Sequence, residues 1–494
     1  MTPPKMPTEP KSKGAPGRAP ALAMAVALLA TALLVLVGCA DPNRHVISKP
    51  FLVDSPDALT IFGDATIGKD ASQARIDNIQ VPPLPHDGPL SLDECIELAM
   101  RVSPSVDSAQ QGQMGKLWAR HQAVAAFLPT AGMSYGVTHR DKDSSENHTL
   151  GRDQYTWQTT ITQPLFTGGR NLANYYLAQL GVAQSKIAVT QATEDLLLAV
   201  KQAYFGILAS EKALAVARTS VVNLTSHLNV AQNFFDVGMV PYNQVLEAEV
   251  ELAKAQLEES NQSRNLEVNK SRLNILLRRP VGAAISVQDN LRYSHFPLTL
   301  ERCLELGLQN NPEILLGRNQ VEASAKNVDL ARSDLYPQVS LQYTNQSTGN
   351  TPRAHGGYSA DSSSWNVAAV ASFNFWEWGS TKAEVEKSKV LLNQALDALT
   401  SLEDNTKLEI TSDYQTLVSA GRNIDVSAVA VTSAAEDLRM VTERYQEQVA
   451  TNTDVLDSQT RYSEAQYQHF QALYNYNLAW AAIERTLGQR VTPH

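Results

Sequence analysis

Between Pro164 and Pro241 the chain contains no proline, and from Asn171 to Asp236 it is rich in alanine and leucine, with Gly181 and Gly206 its only glycines. Read as helix, these residues span about 100 Å at about 1.5 Å per residue. A helical pattern this long, without internal caps, points to a coiled coil, a transmembrane segment or a helical repeat. Lys186, Glu194, Asp195, Lys201, Glu211, Lys212 and Arg218 are scattered through it, which excludes a lipid-embedded helix. It therefore needs an equally long partner. After the break at Gly238 to Pro241, helical pattern resumes from Asn243 to about Leu277, so the stretch is one arm of a hairpin.

The formal charge of −10 and the pI near 5.5 exclude the basic face of a nucleic-acid binder. Three cysteines in 494 residues exclude a disulfide framework. The first 39 residues read as an export leader: Lys5, Lys11, Lys13 and Arg18 precede an apolar run from Ala19 to Val37. The run stops at Gly38-Cys39. Leu36-Val37-Gly38-Cys39 resembles a bacterial lipobox, predicting a lipid on Cys39 as the mature N-terminus; the rival is an uncleaved membrane anchor. Ala40, rather than aspartate, after the cysteine fits outer-membrane sorting. Residues 40–88, with Pro42, Pro50, Pro56 and Pro82-Pro83-Leu84-Pro85, read as extended chain.

From Pro89 the chain repeats itself. Pro89-Leu90-Ser91-Leu92-Asp93-Glu94-Cys95-Ile96-Glu97-Leu98 matches Pro297-Leu298-Thr299-Leu300-Glu301-Arg302-Cys303-Leu304-Glu305-Leu306, 208 positions later, and Phe127-Leu128-Pro129 matches Leu335-Tyr336-Pro337 at the same offset. Gly169 matches Gly379, Leu246 matches Leu456 and Leu277 matches Leu487, at 210. A net two-residue insertion, and hence a loop, falls between Pro337 and Gly379. The repeats span 89–280 and 297–490, with a linker at 281–296. Each opens on a short Ser- or Thr-capped helix that stops before an X-Pro, followed by a helix of about 25 residues. Long helices follow at about 170–236 and 242–277 in the first repeat, and at about 380–448 and 453–487 in the second.

Ahead of each long helix the apolar period falls from 3.6 to 2. Met133, Tyr135 and Val137, then Tyr155, Trp157 and Ile161, alternate with polar or small residues, predicting strands at about 129–139 and 154–165. In the second repeat Val339, Leu341 and Tyr343, then Trp365 through Phe375, predict strands at about 337–346 and 363–376. Alternating strands flanked by aromatics fit a membrane β-barrel, although a soluble sandwich gives the same alternation. Four strands cannot close a barrel in lipid, where open edges are not tolerated. A membrane reading therefore requires several chains.

This order of elements in duplicate, behind a lipobox, resembles the TolC/OprM-type outer-membrane efflux proteins. The motifs that carry the resemblance are Pro164-Leu165-Phe166-Thr167-Gly168-Gly169-Arg170, Trp376-Glu377-Trp378-Gly379, Phe235-Asp236-Val237-Gly238, Arg444-Tyr445 and Thr453-Asp454-Val455-Leu456-Asp457. The resemblance implies a mainly α protein with a membrane β-barrel: a homotrimer with four strands per chain in a 12-stranded barrel, above a long α-helical periplasmic tunnel. It implies a passive exit duct that meets a periplasmic adaptor protein and an inner-membrane pump in a tripartite efflux or type I secretion system. Asp454 and Asp457 would line the periplasmic gate, Tyr445 would help hold it closed, and the tips Val237, Gly238, Met239, Val449, Ala450 and Thr451 would dock the adaptor.

The chain departs from the pattern at Ala450, where some members carry a gate arginine, and at Gln244, where an acid would face it. Gly238 is matched by Gln448, so the second tip is expected to turn differently. Cys95 and Cys303 are repeat cognates, expected as two separate buried thiols rather than a disulfide. No histidine stands at ligand spacing, so no metal or other cofactor is expected beyond the lipid, and no motif supports an enzyme. The competing reading is a coiled-coil adaptor or structural lipoprotein of the periplasm without a channel.

Overall fold

The computed structural model describes residues 88–140, 153–354 and 363–491. The leader, Cys39 and the segment to 87 lie outside the described residues. In chain order the first repeat supplies α1 (Leu92–Val102), α2 (Pro104–Ala125), β1 (Thr130–His139), β2 (Asp153–Phe166), α3 (Arg170–Asp236) and α4 (Tyr242–Leu276). The second supplies α5 (Leu300–Asn310), α6 (Pro312–Arg332), a 3-10 turn at Ser333–Leu335, β3 (Gln338–Gly349), β4 (Ser363–Ser372), α7 (Ser380–Gln446) and α8 (Asn452–Leu487).

Local chemistry sets the ends of these elements. Ser91 and Glu94 cap α1 reciprocally: the Ser91 side chain accepts from the Glu94 N–H, and the Glu94 carboxylate accepts from the Ser91 N–H at 2.8 Å. In the second repeat Thr299 accepts from the Arg302 N–H. Pro104 and Pro312 open α2 and α6, where their missing N–H costs nothing. Both long helices, α3 and α7, have 67 residues and start after a glycine with positive φ, Gly169 or Gly379.

A helix this long buries different faces along its length. Near the sheet α3 buries Ala173, Leu180 and Val182; toward the tip it buries Leu224, His227 and Ala231. Between them Ala203 through Leu208 are buried consecutively, because α1, α4 and the linker surround that stretch. The Tyr204 hydroxyl donates to the Gln288 carbonyl at 2.7 Å, which ties the linker to the middle of α3. Here lies the core of the first repeat: Leu90, Cys95, Ile96, Leu98, Val200, Tyr204, Ile207, Leu208, Leu273 and Leu277. Its counterpart in the second repeat gathers Cys303, Ile410, Leu417, Tyr476, Ile483 and Leu487. Cys95 and Cys303 are free, buried thiols, one in each core. Burial pushes Cys95 up to about 12 and Cys303 up to about 11, so both stay protonated and inert.

The strands form one antiparallel sheet in the order β1-β2-β3-β4. Thr130 pairs with Thr162 in the first hairpin and Gln338 with Ser372 in the second. These pairs are related by the same offsets as the sequence, 208 on one strand and 210 on the other, so the insertion lies in the loop after β3. The register places Met133, Tyr135, Val137, Trp157, Ile161, Tyr343, Trp365 and Val367 on one face, and Ser134, Thr156, Gln158, Thr160, Gln342, Thr344 and Asn366 on the other. Among the described residues no second sheet covers the apolar face: Met133 is 67 % and Trp365 64 % exposed. A sandwich would have buried it. β4 ends at Ser372, short of the expected 376, because β3, its neighbour among the described residues, begins at Gln338 opposite Ser372.

Candidate functional site

The ends of the two helical hairpins hold most of the residues that the sequence singles out. At the first tip the Gly238 N–H donates to the Phe235 carbonyl at 2.9 Å and the Met239 N–H to Phe234 at 2.8 Å, with φ of 74° at Gly238. At the second, Gln448 donates to Tyr445 at 2.9 Å and Val449 to Arg444 at 2.8 Å, with φ of 62° at Gln448. These are the same Schellman turns. The expectation that Gln448 would turn differently is therefore wrong: the turn's hydrogen bonds hold a glutamine in the left-handed region at a cost of roughly 1–2 kcal/mol. Val237, Met239 and Val449 stand exposed at the tips. The Gln448 Nε2 meets the Met239 Sδ at 3.0 Å, so the two tips touch.

Asp454 is the third residue of α8 and closes a capping box. Its carboxylate accepts from the Thr451 N–H at 2.8 Å and from the Thr451 hydroxyl at 2.7 Å. The Thr451 backbone hydrogen bond, then the hydroxyl, hold its carboxyl below the usual range. Asp457 lies one turn on, exposed on the same side of α8. In a single protomer Asp454 thus has a local job as the cap of α8.

Tyr445, expected to help hold the gate closed, is buried in the protomer. Its ring packs against His227 at 5.0 Å and Phe234 at 5.7 Å between centroids, and its hydroxyl is buried without a hydrogen-bond partner, as is the Gln244 Oε1. His227, on α3, is 9 % exposed and meets the Asn452 Oδ1 through Nε2 at 2.7 Å. The Asn452 amide donates in turn to the Gln244 carbonyl at 3.3 Å and to Glu247 at 3.1 Å. All four long helices meet at this knot, one residue past the Thr451 cap. Burial pushes the His227 imidazole below its ordinary value, against the opposing effect of the Asn452 hydrogen bond. The sequence gives no sign of the knot, since a lone histidine in a helical run carries no spacing signal. Among the described residues no group of three His, Cys, Asp or Glu could hold a metal ion.

The sequence profile of the outer membrane efflux protein family matches the chain twice, over residues 95–277 and 303–489. The chain belongs to the outer membrane efflux protein family. The alkaline protease secretion protein AprF of Pseudomonas aeruginosa is 24 % identical over 416 residues, covering 80 % of this chain and 83 % of AprF. The outer membrane efflux protein BepC of Brucella suis is 21 % identical over 373 residues, covering 74 % and 78 %. Among solved structures, the outer membrane protein VceC of Vibrio cholerae superposes with a TM-score of 0.70 at 18 % identity, over 81 % of this chain and 96 % of VceC. Like its relatives, this efflux protein is a channel of the outer membrane that extends into the periplasm. The family consists of transport proteins rather than enzymes.

Proposed function

We propose that three copies assemble into a passive duct, each giving four strands to a 12-stranded barrel in the outer membrane and two helical hairpins to a periplasmic tunnel. The observation that carries this reading is the sheet: one face apolar and uncovered, the other polar, with β1 and β4 as unpaired edges. An apolar sheet face in lipid satisfies the hydrophobic effect, and only closure with further copies removes the edges. A coiled-coil lipoprotein without a channel gives such a sheet no purpose. In this reading Cys39 carries the lipid, and the exposed tips Val237, Gly238, Met239, Val449, Ala450 and Thr451 meet a periplasmic adaptor that leads to an inner-membrane pump. Asp454 and Asp457 line the periplasmic constriction and favour cations there, while Tyr445 holds the two hairpins of one copy together from inside. AprF is named for the secretion of a protease and BepC for efflux; a cargo of either kind would pass along the same duct.

Because Asp454 also caps α8, Asp454→Asn with Asp457→Asn removes charge while keeping a side-chain acceptor at the cap. In planar bilayers this double variant should lose cation block and gain conductance. Unchanged conductance and block would remove both aspartates from the gate. Assembly is read separately: outer-membrane extracts in mild detergent should give a heat-modifiable trimer on gels, and a monomer or dimer would sink the duct.

A further inference from the structure

The protomer makes one seam between its two repeats and leaves the cognate seam unmade. Within the chain β2 pairs with β3 and α3 packs on α6. The corresponding partners, β4 with β1 and α7 with α2, do not pair, and β1 and β4 are exposed at every position. β2 continues to Phe166 because β3 lies beside it, whereas β4 stops at Ser372.

The two seams are not built of the same residues. In the made seam Gly168, at φ 64°, comes so close that a Cβ would stand 2.2 Å from the Ser333 carbonyl oxygen and 3.1 Å from the Tyr336 Cβ. Beside it the Arg170 guanidinium pairs with Asp334. By the repeat offsets, the cognates are Trp378 for Gly168, Ser380 for Arg170, Ala126 for Asp334 and Leu128 for Tyr336. They change together: the glycine becomes the largest side chain, and the ion pair and the tyrosine become serine, alanine and leucine. Trp378 keeps the left-handed backbone, at φ 55°, and is 89 % exposed, with Trp376 edge-on to it at 5.5 Å. Inside one chain this exposed indole, on a backbone that disfavours it, gains only the edge contact with Trp376.

We propose that this seam receives the next copy of the chain: β4 pairs with the next copy's β1 in the register of β2 with β3, and Trp378 lies over the next copy's Ala126 and Leu128. The inference rests on the trimer reading above and specifies its contacts. Carried over by the offsets, Ile161 opposite Tyr343 becomes Ala371 opposite Tyr135, Thr162 opposite Gln342 becomes Ser372 opposite Ser134, and Gln163 opposite Leu341 becomes Phe373 opposite Met133. This register keeps the apolar residues Phe373, Met133 and Tyr135 on one face and Ser372 and Ser134 on the other. A slip of one residue would turn Phe373 to the polar face. The ladder ends near Phe373, since the Cβ of Trp378 forbids the approach that Gly168 allows, and the indole fills the wedge that opens. The barrel's base then has two kinds of seam, a polar one within each copy and an aromatic one between copies.

The test uses the full chain in outer membranes treated with copper phenanthroline. Ser134→Cys with Ser372→Cys should give covalent dimers and trimers in denaturing gels; Gly132→Cys with Ser372→Cys, two residues out of register, should not. Cross-linking through the Gly132 pair, or through neither pair, in samples that still run as trimers overturns the proposed register and leaves the trimer reading intact. Absence of trimers in unmodified protein overturns both. For the wedge, Ala126→Asp should lower the temperature at which the trimer dissociates. Ala126→Asp with Ser380→Arg, which copies the Arg170–Asp334 pair, should restore it. An Ala126→Asp trimer with unchanged heat stability removes Trp378 from the seam.

Discussion

His227 is where a single side chain decides most. Its Nε2 bond to Asn452 joins α3 to the first turn of α8 in a space closed by Tyr445 and backed, through Asn452, by Glu247. The folded state holds the imidazole neutral, so its contribution is fully present above its ordinary value of 6.5 and is lost as pH falls below that toward the lowered folded value. Hydrogen exchange of peptides covering 224–236 and 445–456 should therefore speed up, relative to the middle of α3, as the pH is lowered below 6.5, and His227→Gln should abolish that difference. Asn452→Ala leaves the imidazole without its partner and should destabilise the junction by about 1–3 kcal/mol, read as earlier exchange at neutral pH. Asp454 titrates in the same direction: its cap is present above the ordinary carboxylate value and is lost as pH falls through the lowered one.

The hairpin turns belong to the scale of elements. Both reverse through the same two hydrogen bonds, yet one has Gly238 and the other Gln448 at the left-handed position. Gln448→Gly should stabilise the second hairpin by about 1 kcal/mol, less whatever the Met239 contact contributes, and Gly238→Gln should cost a similar amount; protease nicking at each tip reports both. The start of α3 is less forgiving. Gly168→Ala puts a methyl against the Ser333 backbone in a conformation that already disfavours it, and a loss of more than about 2 kcal/mol is expected, read as a lower yield of heat-modifiable protein. The turn chemistry at Gly238 is legible in the sequence. That at Gln448 is not, because the left-handed residue is imposed by the turn's hydrogen bonds and the packing behind them.

At the scale of the molecule, the two repeats are tied across their middle by charges as well as by apolar packing. Lys201 of α3, 15 % exposed, pairs with Glu484 of α8, 8 % exposed, and Glu484 also accepts from the Val491 N–H at 2.8 Å. Removing one partner leaves a buried charge alone. Lys201→Met should cost about 3–5 kcal/mol, while Lys201→Met with Glu484→Leu should recover much of it, measured as trimer dissociation temperature. The two repeats bury their long helices unequally. α3 packs against both α2 and α6, but α7 packs against α6 and leaves the face toward α2 unmatched.

Period, breaks and duplication are local and repeated signals, so the sequence by itself determined the long hairpins, the alternating strands, the two repeats and the family, along with the separate niches of Cys95 and Cys303. Tertiary structure decided what no spacing encodes. It placed Tyr445 in the interior beside His227, joined α3 to α8 through Asn452, held Gln448 left-handed, and ended β4 at Ser372. The first two depend on contacts across more than 200 residues of chain, which leave no period along the sequence to be read, and the last two on hydrogen bonds that the backbone makes whatever side chain stands there.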